Sequence, residues 1–170
     1  ENPTLKYAQS CGMIFKFVTR DQFKYKSTDS FLEKLKQEFG DFFIIPEGGT
    51  NPLAIQGCEE ILNPTDLDFD YICSSVGTGG TIAGLINCSK PSQQVLGFSA
   101  LKGDFLKQDI SKFATQTNWD LITDYHFGGY AKINTELVAF INQFKQQYAI
   151  ALDPVYTGKM LFGIFDLIKK

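Results

Sequence analysis

The sequence has 170 residues, enough for one domain or for one domain with part of another. With 44% hydrophobic and 21% charged residues it can bury a sizeable core, which excludes a disordered chain. Its formal net charge of −3, without any basic run, argues against nucleic acid as a partner, and no apolar run is long enough to span a membrane.

Hydrophobic periodicity and capping residues predict helices that alternate with short apolar strands. The predicted helices cover residues 4–11, 31–39, 52–62, 81–88, 105–115, a segment including 137–144, and 160–168. The predicted strands cover residues 13–19, 42–46, 71–76, 94–100 and 119–123. Strands alternating with helices are typical of βαβ units, so we predict an α/β protein with a mostly parallel sheet flanked by helices.

The central feature is a glycine-rich turn between a predicted strand and a predicted helix. Gly77, Gly79 and Gly80 leave the backbone N–H groups accessible, while Thr78 and Thr81 add hydroxyl donors. The helix that follows directs the positive end of its dipole at the same place. We interpret the turn as a phosphate cradle. The alternative is a tight turn of small residues without a ligand, since short glycine motifs are common.

Ligands of parallel α/β sheets bind beyond the carboxyl ends of the strands. The glycine turn and two tyrosine-bearing loops, 124–130 and 153–159, all follow strands or precede helices. We therefore expect these three segments to share one rim of the sheet.

The cysteine and histidine contents exclude several kinds of site. The four cysteines are widely spaced and form no CxxC pair, which favours reduced thiols in a cytoplasmic protein over disulfides or a zinc site. His126 is the single histidine, so a multi-histidine metal site is excluded, and no nucleophile elbow supports a Ser-His-Asp triad. We predict no metal site, and we interpret His126 as an ordinary loop residue.

Three motifs together resemble a known family. VGTGGTIAG at 76–84, LDPVYTGK at 152–159 and IPEGGTNP at 45–52 stand in the same order as in the D-cysteine desulfhydrase and 1-aminocyclopropane-1-carboxylate deaminase family. These are pyridoxal-phosphate enzymes of fold type II, the tryptophan-synthase-β-like fold. The resemblance covers essentially the whole chain, and it implies pyridoxal 5′-phosphate as cofactor and a small amino acid as substrate.

The resemblance also implies a role for each matching residue. Gly77, Thr78, Gly79, Gly80 and Thr81 would hold the cofactor phosphate through backbone amides and hydroxyls. The same comparison assigns catalytic roles to two tyrosines and a contact with the pyridine nitrogen to one threonine; these are Tyr130, Tyr156 and Thr157. Without the resemblance, the two tyrosines would be interpreted as buried phenols with satisfied hydroxyls.

Thr157 bears on the choice of reaction. A carboxylate at this position would keep the ring nitrogen protonated, which suits opening of a cyclopropane ring, whereas a hydroxyl suits elimination of a good β-leaving group. Gly129 also offers no carboxylate beside Tyr130. We therefore expect D-cysteine desulfhydrase-like α,β-elimination, giving a 2-oxo acid and ammonia. The alternatives are the cyclopropane-carboxylate deaminase itself and, in another class, a non-catalytic phosphate-binding α/β module.

The sequence also departs from the family pattern. Members carry an N-terminal segment with the lysine that forms the Schiff base, and a final strand with a glycine-rich loop, and neither matches here. We expect an internal piece of a longer enzyme, with residues 1–43 ending a smaller domain and 44–170 forming an incomplete larger cofactor domain. Lys159 does not match the Schiff-base position. The full-length protein is expected to be a homodimer.

Overall fold

A computed structural model describes residues 2–170 of the chain. The described residues fall into two compact units, one up to Ile44 and one over Ile45–Lys170. The first contains helices α1 (Pro3–Ser10), α2 (Arg20–Lys24) and α3 (Asp29–Phe39). The predicted domain boundary at 43/44 remains a prediction about the whole protein.

Capping residues define the helices of the first unit. Asn2 caps α1 by accepting a hydrogen bond at its side-chain oxygen from the Thr4 N–H at 2.9 Å. Helix α2 was not predicted, although Thr19 and Gln22 form a capping box whose spacing is visible in the sequence. None of the described residues before Ile45 is buried.

The second unit contains a parallel sheet in the order β1-β2-β3. Its elements are α4 (Pro52–Cys58), β1 (Tyr71–Val76), α5 (Gly80–Cys88), β2 (Gln94–Ser99), α6 (Phe105–Ser111), β3 (Trp119–Ile122), α7 (Thr135–Tyr148) and α8 (Thr157–Ile168). Two short 3-10 turns lie at Glu47–Gly49 and Asp66–Asp68. The sheet and its helices confirm the predicted α/β class.

The core lies between the sheet and helices α5 and α6. Its fully buried members include Val76 from β1, Ile82 and Ile86 from α5, Val95 from β2 and Ile110 from α6. Gly97 lies in the middle of β2, where a Cβ would overlap the side chain of Ile82. The strand therefore needs glycine there because helix α5 packs directly on it.

Two predicted strands are wrong. Residues 13–19 and 42–46 are rich in β-forming residues, yet neither is part of a strand in the described chain. A strand needs a neighbour whose N–H and C=O groups complete its hydrogen bonds, and the sheet of the described residues contains only β1, β2 and β3. Residue composition alone does not provide that neighbour.

Several helix limits also differ from prediction. Helix α4 ends at Cys58 instead of residue 62, and α6 ends at Ser111 instead of residue 115. Helix α8 begins at Thr157, three residues before the predicted start.

Among the described residues, all four cysteines are free, and no helix combines the length and apolar character needed to cross a membrane.

Candidate functional site

The glycine-rich turn follows β1 and opens α5, as its sequence predicts. Gly79 is the N-cap residue of α5, with a left-handed φ of 91°. No side chain at this position caps the first N–H groups of the helix. The first N–H groups of a helix have no intrahelical partners, so those of α5 remain available to a ligand. A left-handed conformation of this kind favours glycine, which accounts for Gly79.

A cavity of about 270 Å³ lies over this turn, entirely within the second unit. It is lined by Gly48, Ser75, Tyr156 and the residues 76–82. The turn thus contributes all five predicted phosphate-binding residues to one cavity, together with one of the two predicted catalytic tyrosines. Thr78 and Thr81 are exposed there, whereas Gly79 and Gly80 are buried.

Close packing around the turn disfavours a side chain at Gly77 and more strongly at Gly79. A Cβ on Gly77 would lie 3.3 Å from the hydroxyl oxygen of Tyr156, and a Cβ on Gly79 would lie 2.7 Å from a side-chain carbon of Ile110. These glycines allow Tyr156 and the helix start to approach the same space. A concave cavity with helix N–H groups, hydroxyls and bare backbone fits a phosphate monoester.

Tyr130 and Tyr156 come from different loops and meet at their rings. Their ring centroids lie 6.1 Å apart in an edge-to-face arrangement, with Tyr130 more than half exposed. Two causes raise the pKa of the Tyr156 phenol: mainly the interaction with the Tyr130 side chain, and to a smaller extent desolvation. At neutral pH the Tyr156 phenol therefore keeps its proton and can donate a hydrogen bond.

Thr157 lies beside Tyr156, but its hydroxyl is directed to Asp153 and does not line the cavity. The hydroxyl donates to the Asp153 carboxylate at 2.5 Å and accepts a hydrogen bond from the Asp153 N–H at 3.0 Å. The same carboxylate accepts hydrogen bonds from the N–H groups of Val155, Tyr156 and Thr157. Although burial raises the pKa of Asp153, these hydrogen bonds outweigh it and hold the pKa below its ordinary value.

The sequence analysis assigned no role to Lys159. In the structure, this lysine is a principal contact of the loop 124–130. Its side chain is only 2% exposed, and Nζ donates hydrogen bonds to the carbonyl oxygens of His126 and Gly129, each at 2.8 Å. Burial lowers the pKa of this lysine, and the nearby charge of Asp153 partly opposes the change. Lys159 thereby fixes the backbone immediately before Tyr130. A buried lysine gives no periodic signal, so only the structure reveals it.

His126 takes part in the loop through one local hydrogen bond and one from the distant Lys159. Its Nδ1 accepts a hydrogen bond from the Gly128 N–H at 2.9 Å, and its carbonyl accepts one from Lys159. The interpretation of His126 as an ordinary loop residue remains a prediction. Phe127 and Ala131 adopt left-handed φ values of 53° and 55°, which is unusual for non-glycine residues.

Comparison with known proteins gives one family. No protein-family profile matches the chain. A Pyrococcus horikoshii protein provisionally named a 1-aminocyclopropane-1-carboxylate deaminase is 31% identical over 173 residues, covering 91% of this chain and 53% of that protein. An Arabidopsis thaliana protein named a bifunctional D-cysteine desulfhydrase/1-aminocyclopropane-1-carboxylate deaminase is 32% identical, covering 84% of this chain and 41% of that protein. The chain is similar to proteins of this family over most of its own length.

A solved structure described as an ACC deaminase homologue shows the same similarity. It superimposes with a TM-score of 0.74 at 27% sequence identity, covering 95% of this chain and 56% of that one. A Klebsiella pneumoniae relative named D-cysteine desulfhydrase is 28% identical over 147 residues, covering 73% of this chain and 44% of the relative. The chain spans about half the length of the curated relatives that it matches.

Proposed function

We propose that this chain provides the cofactor-binding part of a pyridoxal-phosphate enzyme that deaminates a small amino acid. The observation that carries the proposal is the cavity in which the glycine turn 77–81 and Tyr156 meet. Similarity to these relatives supports the same proposal, because they are named for deaminase and desulfhydrase activities.

The residues of the cavity fit a phosphorylated cofactor. The backbone of Gly77–Gly80 and the hydroxyls of Thr78 and Thr81 would hold the phosphate, with α5 contributing its dipole. When bound, pyridoxal phosphate withdraws electrons from the α-carbon of an amino acid, so that the α-proton can be removed. Tyr130 and Tyr156 would orient the substrate and donate or accept a proton at their phenol oxygens.

For the reaction, we propose α,β-elimination of the D-cysteine desulfhydrase kind, giving a 2-oxo acid, ammonia and a thiol such as hydrogen sulfide. The absence of a carboxylate at positions 129 and 157 supports this choice. The predicted homodimer and the lysine on a preceding segment remain proposals about the full-length protein.

One observation favours 1-aminocyclopropane-1-carboxylate deamination as a second candidate. The Thr157 hydroxyl donates its hydrogen bond to the Asp153 carboxylate. Towards any third group it therefore presents an oxygen lone pair. If Thr157 contacts the ring nitrogen, as the resemblance predicts, a lone pair suits a protonated nitrogen. A protonated ring attracts electrons more strongly, which suits the harder opening of a three-membered ring.

Two measurements test the proposal. The chain titrated with pyridoxine 5′-phosphate should bind it, whereas pyridoxine, which lacks the phosphate, should bind much more weakly; equal binding of both would contradict the phosphate cradle. The full-length protein should release pyruvate from D-cysteine faster than 2-oxobutyrate from 1-aminocyclopropane-1-carboxylate. Faster release of 2-oxobutyrate would select the second candidate, and release of neither would overturn the enzyme proposal.

A further inference from the structure

The segment that precedes α4 packs against the glycine turn. Gly48 lies in the 3-10 turn Glu47–Gly49 with a left-handed φ of 71°, and a Cβ there would overlap the Thr78 side chain. A Cβ on Gly80 would lie 2.9 Å from Oγ1 of Thr50. The segment Gly48–Thr50, which belongs to the second unit, therefore forms a second wall against the phosphate cradle.

Thr50 contacts the cradle through a hydrogen bond between two hydroxyls. Its Oγ1 lies 2.7 Å from Oγ1 of Thr78, and either oxygen could be the donor. Thr78 lines the cavity, whereas Thr50 is half-buried behind it. Thr50 would thus act on a ligand only through Thr78.

Neighbouring bonds hold Thr50 in place. Asn51 caps α4 by accepting a hydrogen bond from the Ala54 N–H at 3.0 Å, and its amide donates to the Gly49 carbonyl at 3.1 Å. Thr50 is therefore fixed between a capped helix and a turn. Its hydroxyl position is set before any ligand binds, which lowers the entropy lost on binding.

The direction of the hydrogen bond between the two threonines matters for an anion. If Thr78 donates to Thr50, Thr78 presents only lone pairs to the cavity, which repel a negatively charged oxygen. If Thr50 donates to Thr78, the Thr78 proton is free to bond an anionic oxygen. An anion in the cavity stabilises the second arrangement, because hydrogen bonds to charged acceptors are the stronger ones.

We propose that Thr50 is a positioning residue of the phosphate site. Its hydroxyl donates a hydrogen bond to the Thr78 hydroxyl, so that Thr78 in turn donates a hydrogen bond to the bound phosphate. The inference rests on the proposed function, since it requires a phosphate in the cavity. It adds a residue outside the glycine turn to the binding site and makes the segment Gly48–Thr50 part of that site.

The test is titration of the chain with pyridoxine 5′-phosphate and, separately, with inorganic phosphate. Thr50→Val should weaken binding of both about three- to tenfold, since a hydrogen-bond contribution of up to 1.4 kcal/mol corresponds to about tenfold. Thr50→Ser keeps the hydroxyl and should bind like the unmodified chain. Thr65→Val is the matched control, because the Thr65 hydroxyl bonds to Asn63 away from the cavity.

A double-mutant cycle separates the proposed role from a general packing effect. In a Thr78→Val background, Thr50→Val should cause no further loss of affinity. The Thr78 hydroxyl, whose proton Thr50 is proposed to orient, is already absent there. Unchanged affinity of Thr50→Val, an additive loss in the Thr78→Val background, or failure of Thr50→Ser to restore binding would each overturn the inference. If the unmodified chain binds neither phosphate compound, the proposed function fails and this inference fails with it.

Discussion

At the scale of single residues, the side chains of Tyr130 and Tyr156 interact, and the interaction changes the pKa of Tyr156. The side chain of Tyr130 is the largest cause that raises the pKa of Tyr156. Tyr130 is more than half exposed, so it can meet a substrate while it contacts Tyr156. A phenol with a raised pKa remains protonated at neutral pH and is suited to donate a hydrogen bond.

Replacing Tyr130 should change the titration of Tyr156. In Tyr130→Phe we expect the pKa of Tyr156 to fall towards the ordinary tyrosine value of about 10, because the main interaction that raises it is removed. NMR titration of chain labelled with ¹³C-tyrosine measures this, with the Tyr156 signal assigned from Tyr156→Phe. Tyr25→Phe, an exposed residue of the first unit, is the control. An unchanged midpoint for Tyr156 in Tyr130→Phe would show that the phenols do not interact.

Asp153 should make the stability of the chain depend on pH. Hydrogen bonds lower its pKa in the folded state, so its stabilising contribution is present above the unfolded value of about 3.9 and is lost as pH falls through the folded value. Asp153→Asn should lower the free energy of unfolding by about 1–2 kcal/mol at pH 7. The difference from the unmodified chain should shrink below about pH 4.

Urea unfolding at pH 7 and at pH 3 measures the effect of Asp153→Asn. Asp109→Asn is the matched control, because the Asp109 carboxylate forms an exposed ion pair with Lys112 on the same helix turn. Its change should stay within about 0.5 kcal/mol. A difference for Asp153→Asn that is equally large at both pH values would contradict the assigned cause.

At the scale of elements, the packing of α4 on α5 depends on one glycine. A Cβ on Gly84 would overlap the Cys58 side chain and would lie 2.8 Å from the Ile55 carbonyl oxygen. This close approach brings α4, and the Gly48–Thr50 segment before it, to the start of α5. The second wall of the cavity therefore depends on helix packing away from the cavity itself.

Substitution of glycine by alanine at two helix positions should have opposite effects. Gly84→Ala should destabilise the chain by about 1–3 kcal/mol through overpacking. Gly57→Ala, in α4, meets nothing within 4 Å and should stabilise it by up to about 1 kcal/mol, because alanine has the higher helix propensity. Thermal and urea unfolding measure both changes, and a loss of stability in both variants would contradict this account of Gly84.

Lys159 links α8 to the loop that carries Tyr130. Its two hydrogen bonds to backbone carbonyls stabilise a loop in which Phe127, Gly128 and Gly129 all have positive φ. Lys159→Met keeps most of the side-chain volume but leaves both carbonyls without this donor. We expect a loss of about 1–3 kcal/mol and faster amide hydrogen exchange at residues 126–131.

The control for Lys159 is Lys145→Met, since Lys145 is an exposed residue of α7. Its effect on the free energy of unfolding should be within about 0.5 kcal/mol. Unchanged hydrogen exchange in the 126–131 loop of Lys159→Met would show that other contacts, such as the Phe127–Phe162 ring pair at 5.0 Å, suffice to hold the loop.

At the scale of the whole molecule, all buried residues of the described chain lie in the second unit. The buried set begins at Ile55, whereas helices α1, α2 and α3 bury no residue. Hydrophobic burial is the main favourable contribution to folding. The second unit should therefore carry most of the stability of the chain.

Residues 45–170 expressed alone should retain a cooperative thermal transition. We expect a melting temperature within a few degrees of the 170-residue chain, because the core that unfolds is the same. Residues 2–44 alone should show no cooperative transition. Circular dichroism at 222 nm checks both, and non-cooperative unfolding of residues 45–170 would show that the first unit is required for the core.

Much of the fold could be predicted from local pattern. The three strands of the sheet, the glycine turn and the helices that flank it follow from apolar runs and capping residues, and the structure confirms the α/β class. The wrong strands at 13–19 and 42–46 had suitable residues but no neighbouring strand, which no local pattern reports. The roles of Gly77–Thr81, Tyr130, Tyr156 and Thr157 remain predictions, although the cavity brings most of these residues together.

The sequence by itself determined the turn chemistry: Gly79 adopts a left-handed φ of 91°, which favours glycine and is a local requirement. Only the tertiary structure decided which distant groups meet the turn. Thr50 reaches Thr78, Tyr156 packs over Gly77, and Lys159 fixes the loop before Tyr130. These contacts join residues about 28 or more positions apart, and they arise from the packing of helices on the sheet, to which periodicity within any one segment is blind.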